Sequence, residues 1–248
     1  MRVLVVNSNT SEAITQSIAS VATAAASSGT IILPRTAEYG PRYISSRAEA
    51  TVAALATVEA IAAAGDQIDA AVIAAFVDPG LAACRELFSF PIVGVAEAAM
   101  ITSLFYGGCF AIVTTGPRVV PVFEDLAATY GVAGRLAAIE AIEDRDIDPA
   151  GHPDHAADAL AAVGARCIER HFAEVIVLGG APLAGLRDRV QARLPVPVLD
   201  GVSCGVRMAE ALVGLKIPKA RAGSYAHPGR RAMVGLSEPL AALFERAP

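Results

Sequence analysis

The chain has 248 residues, 54% of them hydrophobic but only 5% aromatic, and a formal net charge of −5 with its Lys and Arg scattered. That length buries a sizeable core as one large domain or two small ones, and the Ala-rich, aromatic-poor composition points to a compact α/β protein rather than a membrane one. No basic stripe marks a nucleic-acid partner and no block of like charge marks a disordered arm.

Cys84, Cys109, Cys167 and Cys204 lie far apart, without the close spacing that a zinc site or disulfide framework needs. Reduced thiols in a cytoplasmic protein are therefore expected, with no metal. The apolar run after Arg2 stops at Val6, too short for a secretory signal. The uncharged window Ala98–Pro117 is broken by Thr102, Ser103, Gly107, Gly108, Thr114 and Thr115. It reads as a buried helix end, a Gly-Gly turn and a strand over Cys109–Val113, not a membrane span.

In chain order, Arg2–Val6 is a buried strand that breaks into Asn7-Ser8-Asn9-Thr10-Ser11-Glu12. Asn9, with Glu12 three residues on, has the spacing of a capping box opening a helix to about Ala26. The same polar run offers Asn9 and Thr10 to an anionic or carbonyl oxygen. A strand over Gly29–Leu33 leads into a long irregular segment, Pro34–Ser46, whose Tyr43 is placed to close over a substrate. A helix over about Arg47–Ala64 follows, ended by Gly65.

The run Ala70–Ala75 is a buried strand halted by Phe76-Val77-Asp78-Pro79-Gly80, the strand–loop–helix joint where α/β proteins bind ligands. Pro91–Val95 is the next strand, and Glu97 opens a helix whose macrodipole suffices to explain an acidic residue there. The chain then begins again. Phe110–Thr115 ends in Thr114-Thr115-Gly116, Glu174–Gly180 repeats Asp69–Ala75, and Pro197–Gly201 repeats Pro91–Val95. Ala75 and Gly180 are 105 positions apart, Pro91 and Pro197 106. Near-constant spacing of matched strands signals a duplication.

The expected fold is therefore α/β, with two pseudo-symmetric halves, each a mostly parallel sheet flanked by helices, and a site in the cleft between them. Residues 1–98 with 206–248 would form the first half and 99–205 the second. Ile142–His155 reads as an exposed polar loop, Pro153–His171 as a helix, and about Cys204–Val213 as another. His152 and His155 are expected at the surface, and His227 in a structural turn.

These stretches, with Gly40-Pro41-Arg42-Tyr43-Ile44, Asp78-Pro79-Gly80-Leu81, Gly94–Met100, Ala184-Gly185-Leu186, Asp200-Gly201-Val202 and Ser224–Pro228, resemble the hydantoin and allantoin racemase branch of the aspartate/glutamate racemase superfamily. The resemblance covers essentially the whole chain. It implies a homo-oligomer without cofactor, acting on a small molecule with a carbonyl or carboxylate through an enolate. It also implies two cysteines on opposite faces of the substrate's acidic carbon, with backbone amides beside each holding the enolate oxygen. Those positions are Ala75 and Gly180 here, and neither residue moves a proton.

The substrate-binding set expected from the two strand ends and the loops above them is Asn9, Thr10, Tyr43, Ala75, Phe76, Val77, Thr114, Gly180 and Ala181. Three readings stay open: an isomerase on hydantoin- or allantoin-type cyclic ureides; a lyase or hydrolase using Asn9, Thr114, Tyr43 or Asp78; and a binder without chemistry. Unequal replacements at the two positions, with Pro182 beside Gly180, favour a natural branch over deliberate removal of the thiols. Of the remaining cysteines, Cys204 stands nearest a strand end.

Overall fold

The computed structural model describes residues 1–142 and 151–245. Its first sheet joins β1 (Arg2–Asn7), β2 (Ile31–Thr36), β3 (Ala70–Ile73) and β4 (Ile92–Gly94) in the order β2-β1-β3-β4, all parallel. The second joins β5 (Phe110–Thr114), β6 (Leu136–Ala141), β7 (Val175–Gly179) and β8 (Val198–Asp200) in the order β6-β5-β7-β8, again parallel. The identical order is the duplication that the matched strands announce. Around the first sheet lie α1 (Glu12–Ala25), α2 (Arg47–Ala62), α3 (Leu81–Leu87) and α4 (Val95–Ser103). Next in the chain come α5 (Val120–Thr129), α6 (Pro153–His171), α7 (Arg187–Gln191), α8 (Gly201–Leu215) and α9 (Glu238–Glu245).

Parallel sheets covered on both faces require strands that are apolar on both sides. The central strands obey this: Val3–Val6, Ala70–Ile73, Phe110–Val113 and Val175–Leu178 are all buried. One core cluster joins the facing sides of the two sheets, with Val3, Val72, Met100, Phe110, Ile112, Phe123, Val177 and Val206 among its members. A second lies under α6 and α7, and a third under α2 and α3, where Leu240 and Leu243 of α9 complete it. α8 packs on β3, β4, α1 and α4, so the chain returns to its first half at its end. Among the described residues no helix is long and apolar enough to cross a membrane, and the four cysteines are free thiols.

Several boundaries differ from expectation for physical reasons. β2 runs on through Pro34 to Thr36 because it is an edge strand, where a missing N–H costs no ladder bond. α8 starts at Gly201, before Cys204, because Asp200 caps it by accepting from the Ser203 amide at 2.7 Å. The capping box is absent: Ser11 is the N-cap of α1 without a side-chain bond, and Asn9 Oδ1 instead accepts from the Ser11 amide at 2.9 Å. The strand β6 and the helix α5 had no counterpart in the sequence reading. The polar loop over Ile142–His155 lies largely outside the described residues, and α6 has the expected bounds with His152 and His155 exposed before and within its first turn.

α4 lacks a side-chain cap of its own, since its N-cap is Gly94. The cap comes from the preceding β–α loop: Asp78 Oδ1 accepts from the Ala96 amide at 3.1 Å and Oδ2 from the Glu97 amide at 2.9 Å. A Cβ on Gly94 would lie 2.3 Å from the Asp78 carboxyl carbon, so glycine is required there by close approach. Glu97 itself pairs with Arg85 through both oxygens, Nη1 to Oε1 at 2.9 Å, so its carboxylate serves an ion pair as well as the helix dipole. Burial raises Asp78 from 3.8 to about 6, against lowering hydrogen bonds from the Glu97 and Ala96 amides and Tyr130.

Gly94→Ala is expected to destabilise the fold by at least ~1–3 kcal/mol through overpacking against Asp78, read as a lowered denaturation midpoint. Asp78's folded pKa lies above its unfolded value. Its contribution is therefore full below about pH 4 and is lost as pH rises through about 6, ~3 kcal/mol across that window. Asp78→Asn should flatten that segment of the stability–pH curve measured by urea unfolding; an unchanged slope would contradict the assignment.

Candidate active site

In a parallel sheet every strand points its carboxyl end to the same edge, and in an α/β unit that edge is where ligands bind. The carboxyl ends of β1, β3, β5 and β7 surround one cavity of about 240 Å³. Ala75, Phe76 and Val77 line it from the β3 side, and Gly179, Gly180, Ala181 and Pro182 from the β7 side. Asn9 and Ile14 enter from β1 and α1, and Thr114, Thr115 and Gly116 from β5. Tyr43, Ile44 and Ser45 close one wall from the loop between β2 and α2, and Val119 and Phe123 add apolar surface before and within α5.

Beyond β3 the chain turns tightly, with the Asp78 amide donating to the Ala75 carbonyl at 2.8 Å. The Phe76 and Val77 amides inside that turn have no acceptor among the described residues. Both residues line the cavity, which makes these amides the candidate donors for an oxygen that gains negative charge. The Phe76 ring meets Phe123 edge-on, centroids 5.0 Å apart, which fixes the wall between the halves. Asn9 is buried, and its Oδ1 accepts from Asn7 Nδ2 and the Ser11 amide, leaving its Nδ2 as the end without a protein acceptor among the described residues. Thr114 is buried at the cavity, whereas Tyr43 is 53% exposed and stands at the mouth.

The cavity wall thus brings together Asn9, Tyr43, Ala75, Phe76, Val77, Thr114, Gly180 and Ala181, but not Thr10. Thr10 instead holds the loop that carries Tyr43, its amide donating to the Pro41 carbonyl at 3.1 Å. Arg42 in that loop is exposed. Asp78 stands behind the turn, its carboxylate taken up by α4 and by the Tyr130 hydroxyl at 2.8 Å, so it is not a candidate acid or base in the cavity. Cys204 is buried in the shared core and off the cavity wall, its thiol pushed up to about 12 by burial and by Asp200. Burial also pushes Cys84 and Cys167 up to about 12, inert as thiolates at neutral pH.

Gly180 has φ 147° and ψ 137°, a conformation that L side chains rarely adopt. A Cβ there would meet nothing closer than 3.8 Å, so the restriction lies in the backbone and not in space. Outside the expected set the wall also holds Ile14, Val119 and Phe123, together with Ile44, Ser45, Thr115, Gly116, Gly179 and Pro182 next to expected residues. Val119 and Phe123, four apart, carried a faint helical signal; nothing local marked Ile14. Among the described residues the lining includes no carboxyl, imidazole, amine, guanidinium or thiol. Among the described residues no group of three or more His, Cys, Asp or Glu could hold a metal ion.

Comparison with known proteins bears on this geometry. Residues 3–209 match the family described as Asp/Glu/Hydantoin racemase. A hydantoin racemase of Pseudomonas sp. (strain NS671) is 34% identical over 239 residues, 96% of either chain. A hydantoin racemase of Paenarthrobacter aurescens is 37% identical over 231 residues, 92% of this chain and 98% of that one. The structure of allantoin racemase from Klebsiella pneumoniae superposes with a TM-score of 0.91 at 35% identity, covering 97% of this chain and 98% of the other. With the family match and these relatives spanning nearly its full length, the chain belongs to the Asp/Glu/hydantoin racemase family.

Proposed function

We propose that the protein is a racemase-type isomerase acting on a hydantoin- or allantoin-type cyclic ureide, without a cofactor and through an enolate. The observation that carries this reading is the cavity of about 240 Å³ lined by both matched strand ends, Ala75–Val77 and Gly179–Ala181, with no charged side chain among the described residues of its wall. A carboxylate entering such a cavity would lose its hydration without gaining a cation, a heavy cost that a neutral ring avoids. The ring carbonyl beside the acidic carbon would accept from the Phe76 and Val77 amides. As the carbon loses its proton to water at the open mouth, the carbonyl oxygen takes the negative charge and those amides stabilise it. A proton returned from water to either face restores the ureide.

The names of the relatives, hydantoin racemase and allantoin racemase, support the substrate class. Positioned acid–base groups contribute about 10²- to 10⁴-fold. Turnover is therefore expected to be slower by about that factor than in an enzyme with a thiol on each face. The proposal also takes residues 1–98 with 206–248, and 99–205, as the two halves, and the protein as a cytoplasmic homo-oligomer. The exposed rings of Phe105, Tyr106 and Phe172 supply apolar surface for association. A second reading, ligand binding without turnover, draws on the absence of any strong acid–base group from the wall among the described residues.

Incubation of single-enantiomer 5-isopropylhydantoin in heavy water, followed by proton NMR and chiral chromatography, should show exchange at the ring carbon above the buffer rate. Exchange no faster than buffer, for this compound and allantoin alike, would overturn the isomerase reading, and calorimetric binding would then favour the second one.

The two positions should respond unequally to a thiol. Ala75→Cys places one acid–base group beside the amides and is expected to raise exchange by about 10²-fold or more while keeping the configuration, since one thiol serves one face. Gly180→Cys forces a side chain onto a glycine backbone and should cost ~1–3 kcal/mol in stability before any gain appears. Equal stability of the two variants in thermal unfolding would refute the backbone argument.

A further inference from the structure

The turn that presents the Phe76 and Val77 amides belongs to the first half, yet α5 of the second half touches it twice. Phe123 packs edge-on against the Phe76 ring at 5.0 Å. Two turns further along, Tyr130, the residue that ends α5, donates its hydroxyl to Asp78 Oδ2 at 2.8 Å. The Tyr130 side chain packs against the shared core and also against the cluster beneath α2 and α3, so it reaches into the first half. Asp78 in turn grips both ends of its surroundings. Its amide closes the turn on Ala75, and its carboxylate holds the Ala96 and Glu97 amides of α4. Its φ of 42°, in the left-handed region for a non-glycine residue, persists only because these contacts over-determine it.

We propose that Asp78 and Tyr130 form a latch between the two halves that holds the Phe76 and Val77 amides in register for a ligand oxygen. Both are positioning residues; neither touches the cavity. The inference rests on the reading of those amides as the ligand's oxygen site. Around Asp78 the ionisable neighbours are Tyr130 on α5 and Glu97 on α4. Behind Glu97 stand Arg85 of α3, paired with it, and Tyr225 of the C-terminal segment, which interacts with Arg85. Burial and the Asp78 charge push the Tyr130 hydroxyl up, so it stays protonated and remains a donor throughout the neutral range. The bond from Tyr130 favours the charged carboxylate, and its loss must move Asp78's titration to higher pH.

Tyr130→Phe keeps the ring and removes only the donor. Three measurements on the full chain test the latch. The Asp78 carboxyl carbon, followed by NMR, should titrate near pH 6 in the natural protein and higher in the variant. The Asp78, Ala96 and Glu97 amide protons should exchange about tenfold faster in the variant, while amides of β5 and β7 keep their rates and report an intact fold. Affinity for 5-isopropylhydantoin should fall about tenfold by calorimetry, the scale of one hydrogen bond to a charged group. Unchanged exchange of the three amides, or an unmoved Asp78 titration, overturns the latch, as does unchanged affinity where the natural protein binds. Failure of the natural protein to bind any ureide, with the exchange and titration differences present, overturns the substrate reading alone. If all β-strand amides accelerate as well, Asp78→Asn provides the second arm: it keeps one acceptor oxygen, and the latch requires faster exchange of the Ala96 and Glu97 amides there too.

Discussion

A carboxylate taken out of water must find donors, and in this fold the buried carboxylate of Asp78 finds three of them, from two helices at once. Two donors are α4 backbone amides that would otherwise be orphaned at a helix N-terminus, and the third is a hydroxyl from the opposite half. Much local geometry follows from satisfying this one group. Gly94 has no side chain because the carboxylate occupies the place of its Cβ. The turn after β3 closes tightly because Asp78 must point away from the cavity and toward α4. The same turn leaves the Phe76 and Val77 amides, in residues that line the cavity, without an acceptor among the described residues. A motif that looks like loop punctuation, Asp78-Pro79-Gly80, is therefore the point where helix capping, domain contact and ligand geometry meet.

The fold was legible where burial made the sequence monotonous. β1, β3, β5 and β7 are covered on both faces, so they appear as uninterrupted apolar runs, and their repetition at near-constant spacing exposes the duplication. The edge strands β4 and β8 were legible as well, and what escaped was β6 and the end of β2. β6, Leu-Ala-Ala-Ile-Glu-Ala, is only half-buried, and such a run suits a helix as well as a strand. Its Glu140 reads as a surface charge until Arg166 and His171 of α6 are seen against it. Pro34 looked like the end of β2 because a proline's cost depends on which side of the strand is paired, a tertiary fact.

Much of the cavity wall was visible for the same reason: strand ends in a duplicated α/β chain converge. The parts that were not visible depend on side-chain partners. Asn9 has the spacing of a capping residue, but Asn7 and the Ser11 amide claim its oxygen, so it faces the cavity instead. Cys204 stands near a strand end, yet α8 begins three residues earlier than its pattern suggests and the thiol rotates into the core. Phe123 and Tyr130 come from α5, an element with no counterpart in the sequence reading. Through them the second half shapes the first half's turn.

The two strand ends carry unequal histories in their backbones. Ala75 occupies a conformation that another small side chain could share, so its chemical silence is a matter of side chain alone. Gly180 sits at φ 147°, where space exists but an L residue is strained, so the main chain itself has settled around the absence of a side chain. A site arranged in this way would discriminate by neutrality and shape, through an uncharged wall among the described residues, more than by a matched acid and base. In the proposed reaction, stabilising the enolate oxygen would lower the barrier to losing the proton whichever group receives it, because the charge to be held would appear on oxygen and not on carbon. On the proposed reaction the amide pair is the part that every proton-transfer scheme in this cavity would need, and on the proposed latch it is the part that the buried carboxylate would hold in place.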